Sequence, residues 1–164
     1  MIAFFDASAV SYLVESKQPF GSKVRGELAA AAKKYPDLDA GLSRLTWLEC
    51  RVGPMKSNDH AVLASFDALF ARADLVWVEL SKDVVELAAT IRLRHRLRTP
   101  DALHAASCVQ LGLNHLFLTG DAAFRRVAGL NVRLLTGQAR LNARASSPAA
   151  AQSTGCATGT RVTR

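Results

Sequence analysis

Short apolar runs alternate with helix-forming segments along this chain, and that order predicts an α/β protein. The expected architecture is a three-layer α/β/α sandwich with a mainly parallel sheet of about five strands, because parallel strands need crossover helices that cover both sheet faces. The size agrees: 164 residues, 49% of them hydrophobic, suit one domain with a single core. There is no internal repeat.

Ile2–Phe5 reads as a buried strand and Ser8–Glu15 as a short helix leading from it. A second helix starts at Gly21 or Ser22 and ends before Tyr35-Pro36, since proline disfavours helical geometry in the preceding residue. Ala40–Leu42 is a strand candidate. Thr46 then begins a helix with Glu49 completing a capping box, and Gly53-Pro54 should end or kink it before Asp59–Arg72 resumes helical spacing. Leu75–Leu80 is the next strand.

Ser81 is a plausible cap for a long helix, SKDVVELAATIRLRHRLR, whose end is strongly cationic. Thr99 as cap with Pro100 at the first helical position starts another, expected to run to about Leu111 and stop at Gly112. His115–Leu118 is a strand, Thr119-Gly120-Asp121 a turn, AAFRRVA a short helix and Val132–Leu135 the final strand.

Cys50, Cys108 and Cys156 form no close pair and no zinc-ligand spacing, which argues against both a disulfide framework and a structural zinc site. No apolar stretch approaches the roughly 18 residues of a membrane span, so a soluble cytoplasmic protein is expected. Of 21 basic residues, 17 lie in residues 1–136 together with all 14 acids, a net +3; the four remaining arginines give residues 137–164 a net +4. That segment is Ala-, Ser-, Thr- and Gly-rich and cannot offset the entropy of ordering, so disorder is expected from about Gly137. The domain organisation expected is therefore a folded body over 1–136 and a basic tail over 137–164.

Four acids stand out by position: Asp6 and Asp121 follow strands, while Glu49 and Asp101 sit near helix starts. Each has a structural explanation as a cap or a complement to a helix dipole. Asp6 is least easily dismissed, because it interrupts the end of an apolar strand, where burying an unpartnered ion is expensive. In a doubly wound sheet the carboxyl ends of the strands face one crevice, and the helices that follow begin there, so all four acids can converge. Such a cluster raises its own pKa values by mutual repulsion unless cations neutralise it. Oxygen-only ligands favour Mg2+ or Mn2+, and an acidic metal site on a basic protein suggests phosphodiester chemistry.

The strand FFDASAV, the helix LTWLECR, the segment TPDALHAAS and the turn FLTGDAAF, in this order and spacing, resemble a PIN domain, and most closely a VapC-type toxin ribonuclease. The resemblance covers about residues 1–135. It implies a Mg2+-dependent endoribonuclease that acts on RNA, is inhibited by a cognate antitoxin protein and forms a homodimer. Carried over, Asp6, Glu49, Asp101 and Asp121 match the family's acidic quartet, with Asp6 and Asp101 as metal ligands and Ser8 and Thr119 supporting them. The implied reaction is in-line attack on the phosphodiester by metal-activated water, leaving a 5′-phosphate and a 3′-hydroxyl. Two departures are Gly120, where family members often have asparagine, and the segment beyond residue 135.

Two other readings compete. A haloacid-dehalogenase-like phosphatase also puts an Asp after its first strand, but resembles Asp-x-Asp there, whereas this chain has Asp6-Ala-Ser8. A catalytically silent domain that binds RNA or a partner through the crevice is the other.

Arg92, Arg94, Arg96 and Arg98 alternate along the expected helix as two faces rather than one patch. His104, three residues after Asp101, reads first as a structural histidine. Trp47 and Trp77 read as core or interface residues, and Tyr12, Leu13, Phe20 and Leu28 as candidates for an apolar groove that takes an antitoxin segment.

Overall fold

The computed structural model describes residues 1–112 and 114–135; the expected tail, including Cys156, lies outside them. Five strands form one parallel sheet: β1 (Ile2–Phe5), β2 (Asp39–Ser43), β3 (Leu75–Val78), β4 (His115–Thr119) and β5 (Val132–Leu134), in the order β3-β2-β1-β4-β5. Among the described residues six α-helices surround it: α1 (Ala7–Val14), α2 (Phe20–Lys34), α3 (Arg44–Ser57), α4 (His60–Phe70), α5 (Lys82–His95) and α6 (Thr99–Val109). This is the α/β/α sandwich expected from the alternation.

β1 is the middle strand, and the period of two sends its side chains to both layers. Ala3 and Phe5 join Val10, Val24, Leu42, Phe66 and Leu118 in one core; Phe4 joins Val84, Ile91, Ala105, Phe117 and Phe124 in the other. Phe4 and Phe117 stack at 5.8 Å between ring centres. The short strands IAFF and HLFLT read as continuous apolar runs because both sheet faces are covered.

The chain leaves β1 for β2 and β3 on one side, then crosses to β4 and β5 on the other. The strand order therefore reverses between β1 and β4, and a crevice opens beyond their carboxyl ends.

Several boundaries differ from expectation, each for a local reason. Helix α3 starts at Arg44, capped by Ser43 through the Thr46 amide, so Thr46 lies inside the helix and the Thr46–Glu49 capping box does not form. Nor does Gly53-Pro54 end α3. Proline withholds only its own N–H, and the helix continues to Ser57, where Asn58 in the left-handed conformation donates back to Met55 and Pro54. Helix α5 keeps its Ser81 cap but stops at His95, with Arg96 left-handed, so Arg96 and Arg98 do not continue its faces. Arg98, not Thr99, caps α6, and without a side-chain bond. Trp77 packs edge-on against Phe70 as core, but Trp47 is 41% exposed with the Arg51 guanidinium over its ring.

Candidate active site

Pairing of β1 with β4 sets Phe5 opposite Leu118, and the Asp6 amide extends the ladder by donating to the Leu118 carbonyl. Asp6 and Thr119 thus meet at the switch point. One Asp6 carboxylate oxygen, Oδ1, accepts from Ser8 Oγ at 2.7 Å and from the Ala9 amide at 2.8 Å; Oδ2 accepts from Thr119 Oγ1 at 2.5 Å. The two hydroxyls accept in turn, Thr119 from the Asp121 amide and Ser8 from the Gly120 amide. These bonds lock the 119–121 turn onto the start of α1.

Asp6 is only 5% exposed. Burial raises its pKa above the ordinary carboxylate value, against the opposing pull of the bonds from Thr119, Ala9 and Ser8. Its cap role toward α1 is real, yet the same carboxylate borders an open cleft.

Asp101 lies in the first turn of α6 and is half-buried. Burial raises its pKa, and the charge of Asp121 adds to the rise. Asp121 caps the 3-10 turn Ala122–Arg126 by accepting from the Ala123 amide at 2.7 Å, and is exposed. Glu49, released from the capping role by the earlier start of α3, accepts instead from His104 at 2.8 Å.

One cleft of about 350 Å³ is lined by all four acids, Asp6, Glu49, Asp101 and Asp121, together with Ser8, Tyr12, His104 and Gly120. Thr119 lies buried beneath Asp6. Every acid singled out from sequence therefore reaches the same place, from four chain segments. His104 corrects the sequence reading, being 3% exposed and also part of the site wall. Its spacing from Asp101 was the available signal. Tyr12 is corrected too: it faces the acid cleft and stacks on Phe20 at 4.7 Å. Leu13 and Leu28 do line a separate apolar groove, with Leu38, Leu69 and Leu75.

The donor set is hard oxygen. Cys50, beside Glu49 in sequence, offers no thiolate, since burial pushes its pKa up to about 12 and its thiol donates to the Ala7 carbonyl. Among the described residues no three His, Cys, Asp or Glu side chains are gathered closely enough to cage one ion. The arrangement fits the looser mode of Mg2+, which takes one or two carboxylates and keeps several waters. A cation would also offset the burial of Asp6 and the repulsion between Asp101 and Asp121.

No curated protein matches the chain significantly. Among solved structures it is similar to VapBC2 from Rickettsia felis, bound to a DNA fragment from their promoter, with a TM-score of 0.65 and 17% identity over 82% of this chain and 98% of that one. It is also similar to VapBC-1 from nontypeable Haemophilus influenzae, with a TM-score of 0.63 and 16% identity over 84% and 100% of the two chains. A toxin-antitoxin complex from Klebsiella pneumoniae gives 0.59 and 23% over 82% and 98%. At these identities the likeness shows the fold. The family profile described as PIN domain matches residues 3–130, the span that supplies every strand but the last and all four acids of the cleft, and the chain belongs to the PIN-domain family.

Proposed function

We propose that this chain is a Mg2+-dependent endoribonuclease and the toxin of a toxin–antitoxin pair, with residues 1–136 as the nuclease domain. The observation that carries this reading is the convergence of Asp6, Glu49, Asp101 and Asp121 on one cleft at the switch point of the sheet. Asp6 and Asp101 would hold the ion. When bound, it supplies Lewis acidity and positive charge beside the phosphodiester, with Mn2+ as a substitute.

The protein's own groups prepare that place. Ser8, Ala9 and Thr119 fix both oxygens of Asp6, leaving lone pairs of Oδ2 for a further partner. Glu49 and Asp121 face the cleft without being buried in it, and would complete the ion's shell directly or through a water whose proton they could accept. No side chain is offered as a covalent nucleophile. Ser8 donates to Asp6 where a dehalogenase-like phosphatase would have its second acid, so the general acid of that reading is absent.

An antitoxin partner is supported by the fold likeness to solved toxin–antitoxin complexes and by the groove of Leu13, Leu28, Leu38, Leu69 and Leu75, which suits an apolar segment. A homodimer is supported by the face of α3 that leaves Leu48, Val52 and Met55 more than half exposed. We place the protein in the cytoplasm with its RNA; no helix among the described residues is long and apolar enough to cross a membrane.

The test compares cleavage of a mixed RNA pool by wild-type protein and Asp6→Ala, with Mg2+ and with chelator. Cleavage that needs both Asp6 and Mg2+ supports the nuclease. Identical behaviour of the two proteins removes it and favours the silent binding domain.

A further inference from the structure

The cleft contains a buried group that the metal chemistry does not itself require. His104 stands on α6 with its ring between two elements of the neighbouring crossover: Nδ1 is 3.3 Å from Ser43 Oγ and Nε2 is 2.8 Å from Glu49 Oε2. Ser43 is fully buried at the junction of β2 and α3, and Thr46 Oγ1, one turn along, donates to the Phe5 carbonyl at 3.4 Å.

The proton positions follow from what each group can do. The Glu49 carboxylate only accepts, so Nε2 carries the hydrogen. In a neutral imidazole Nδ1 then presents its lone pair to Ser43. The Thr46 hydroxyl proton is spent on Phe5, while Ser43 Oγ accepts from the Thr46 amide and has two acceptors in reach of its own proton, His104 Nδ1 and Thr46 Oγ1, each at 3.3 Å. Ser43 and Glu49 thus hold the ring from its two sides, one at each nitrogen.

We propose that His104 is a positioning residue, which holds the Glu49 carboxylate toward the acid cleft in a fixed orientation. Glu49 has three rotatable side-chain bonds and is half-exposed, so without a partner it would spread over several rotamers. His104 removes that freedom from a site that is itself rigid, since the ring is packed at 3% exposure and anchored at its far nitrogen. It also rides on the helix of Asp101, one turn further on, so the spacing of Glu49 from Asp101 is set through one element. The inference rests on the metal-site reading above and adds to it the device that sets the geometry of Glu49.

The measurement is Mn2+ affinity of the full chain, by calorimetry or by the paramagnetic signal of free Mn2+, with thermal melting to monitor the fold. Glutamine places its amide nitrogen where Nε2 sits and can still donate to Glu49; asparagine is too short to reach. His104→Asn should weaken Mn2+ binding roughly ten-fold or more, the size seen when a ligand's supporting partner is lost, while His104→Gln stays within about three-fold of wild type. In a Glu49→Ala background, His104→Asn should produce no further loss. RNA cleavage should follow the same ranking, in kcat rather than KM.

Equal losses in His104→Gln and His104→Asn, or a further loss in the Glu49→Ala background, would overturn the proposal in favour of a purely structural histidine. Tighter Mn2+ binding by His104→Asn would overturn it differently, showing that His104 competes with the cation for Glu49. Absence of Mn2+ binding by the wild type would overturn the metal-site reading and this inference with it. If His104→Asn does not fold, Ser43→Gly carries the test from the other end, because glycine is tolerated as a cap although it loses the Thr46 amide bond, and it takes away the hydroxyl that orients the ring. It should weaken Mn2+ binding severalfold, and not at all once Glu49 is alanine; any other result in that pair overturns the proposal.

Discussion

Thr119 Oγ1 donates to Asp6 Oδ2 at 2.5 Å across 113 residues of sequence, joining the ends of β4 and β1 at the point where the sheet reverses direction. The same hydroxyl accepts from the Asp121 amide, so one oxygen serves two of the four cleft acids. Thr119→Val keeps the shape of the side chain but strands both partners, one of them a buried carboxylate. A lost bond to a charged, buried group is worth about 1.5–3 kcal/mol. Thr119→Val should therefore lower unfolding stability by that amount in urea titrations at neutral pH, and Thr119→Ser should recover most of it.

Burial lifts the pKa of Asp6 above its ordinary value of 3.8, and burial with the charge of Asp121 lifts that of Asp101. A carboxyl whose folded-state pKa exceeds its unfolded one binds its proton more tightly when folded. It therefore stabilises the fold fully below the ordinary carboxylate range, and that contribution is lost as pH rises through the folded value. In chelator, the melting temperature of Asp6→Asn relative to wild type should rise as the pH is raised above the ordinary carboxylate range. A difference that stays flat there would show that Asp6 titrates no differently from an unfolded aspartate.

Glycine at position 120 has a local reason. A Cβ built there would lie 2.9 Å from the Tyr12 hydroxyl and 3.1 Å from Ser8 Oγ. Tyr12 cannot simply swing away, since its ring is stacked on Phe20. Gly120→Ala should be destabilising by about 1–3 kcal/mol, the usual range for overpacking. Tyr12→Phe, which removes the oxygen that would be struck, should reduce that penalty in the double variant. Additive losses in a double-mutant cycle would mean that Ser8 Oγ and the Tyr12 ring edge, each 3.1 Å away, set the limit rather than the Tyr12 hydroxyl.

Asp6 and Asp121 were legible in the sequence because each follows a short apolar run, and Asp101 because a Thr-Pro start precedes it. The structural explanation for Glu49, a capping box with Thr46, does not hold. The cap falls instead to Ser43, whose hydroxyl at the end of β2 accepts from the Thr46 amide. The spacing of His104 from Asp101 hinted at its place in the cleft, but its contacts were not legible, since Ser43 and Glu49 are 61 and 55 residues away and only packing brings them together. Pro54 misled because the strength of the following left-handed cap at Asn58 depends on backbone geometry rather than on residue type alone.

The Asp101 and Asp121 carboxylates raise a final prediction with two opposite signs. Without cations, their repulsion disfavours the folded state, so Asp101→Asn should raise the melting temperature in chelator. Added Mg2+ should stabilise the wild type by mass action, by about 1.4 kcal/mol when the free ion reaches roughly ten times its dissociation constant. The same Asp101→Asn substitution should abolish most of that gain, because it removes one of the two carboxylates assigned to the ion. A matched concentration of monovalent salt separates this from screening, which would relieve the repulsion without needing a bound ion. If Mg2+ and monovalent salt at equal ionic strength stabilise the wild type equally, Asp101 is not a ligand. A gain specific to Mg2+ and absent from Asp101→Asn would tie the charge conflict at this cleft to the ion that resolves it.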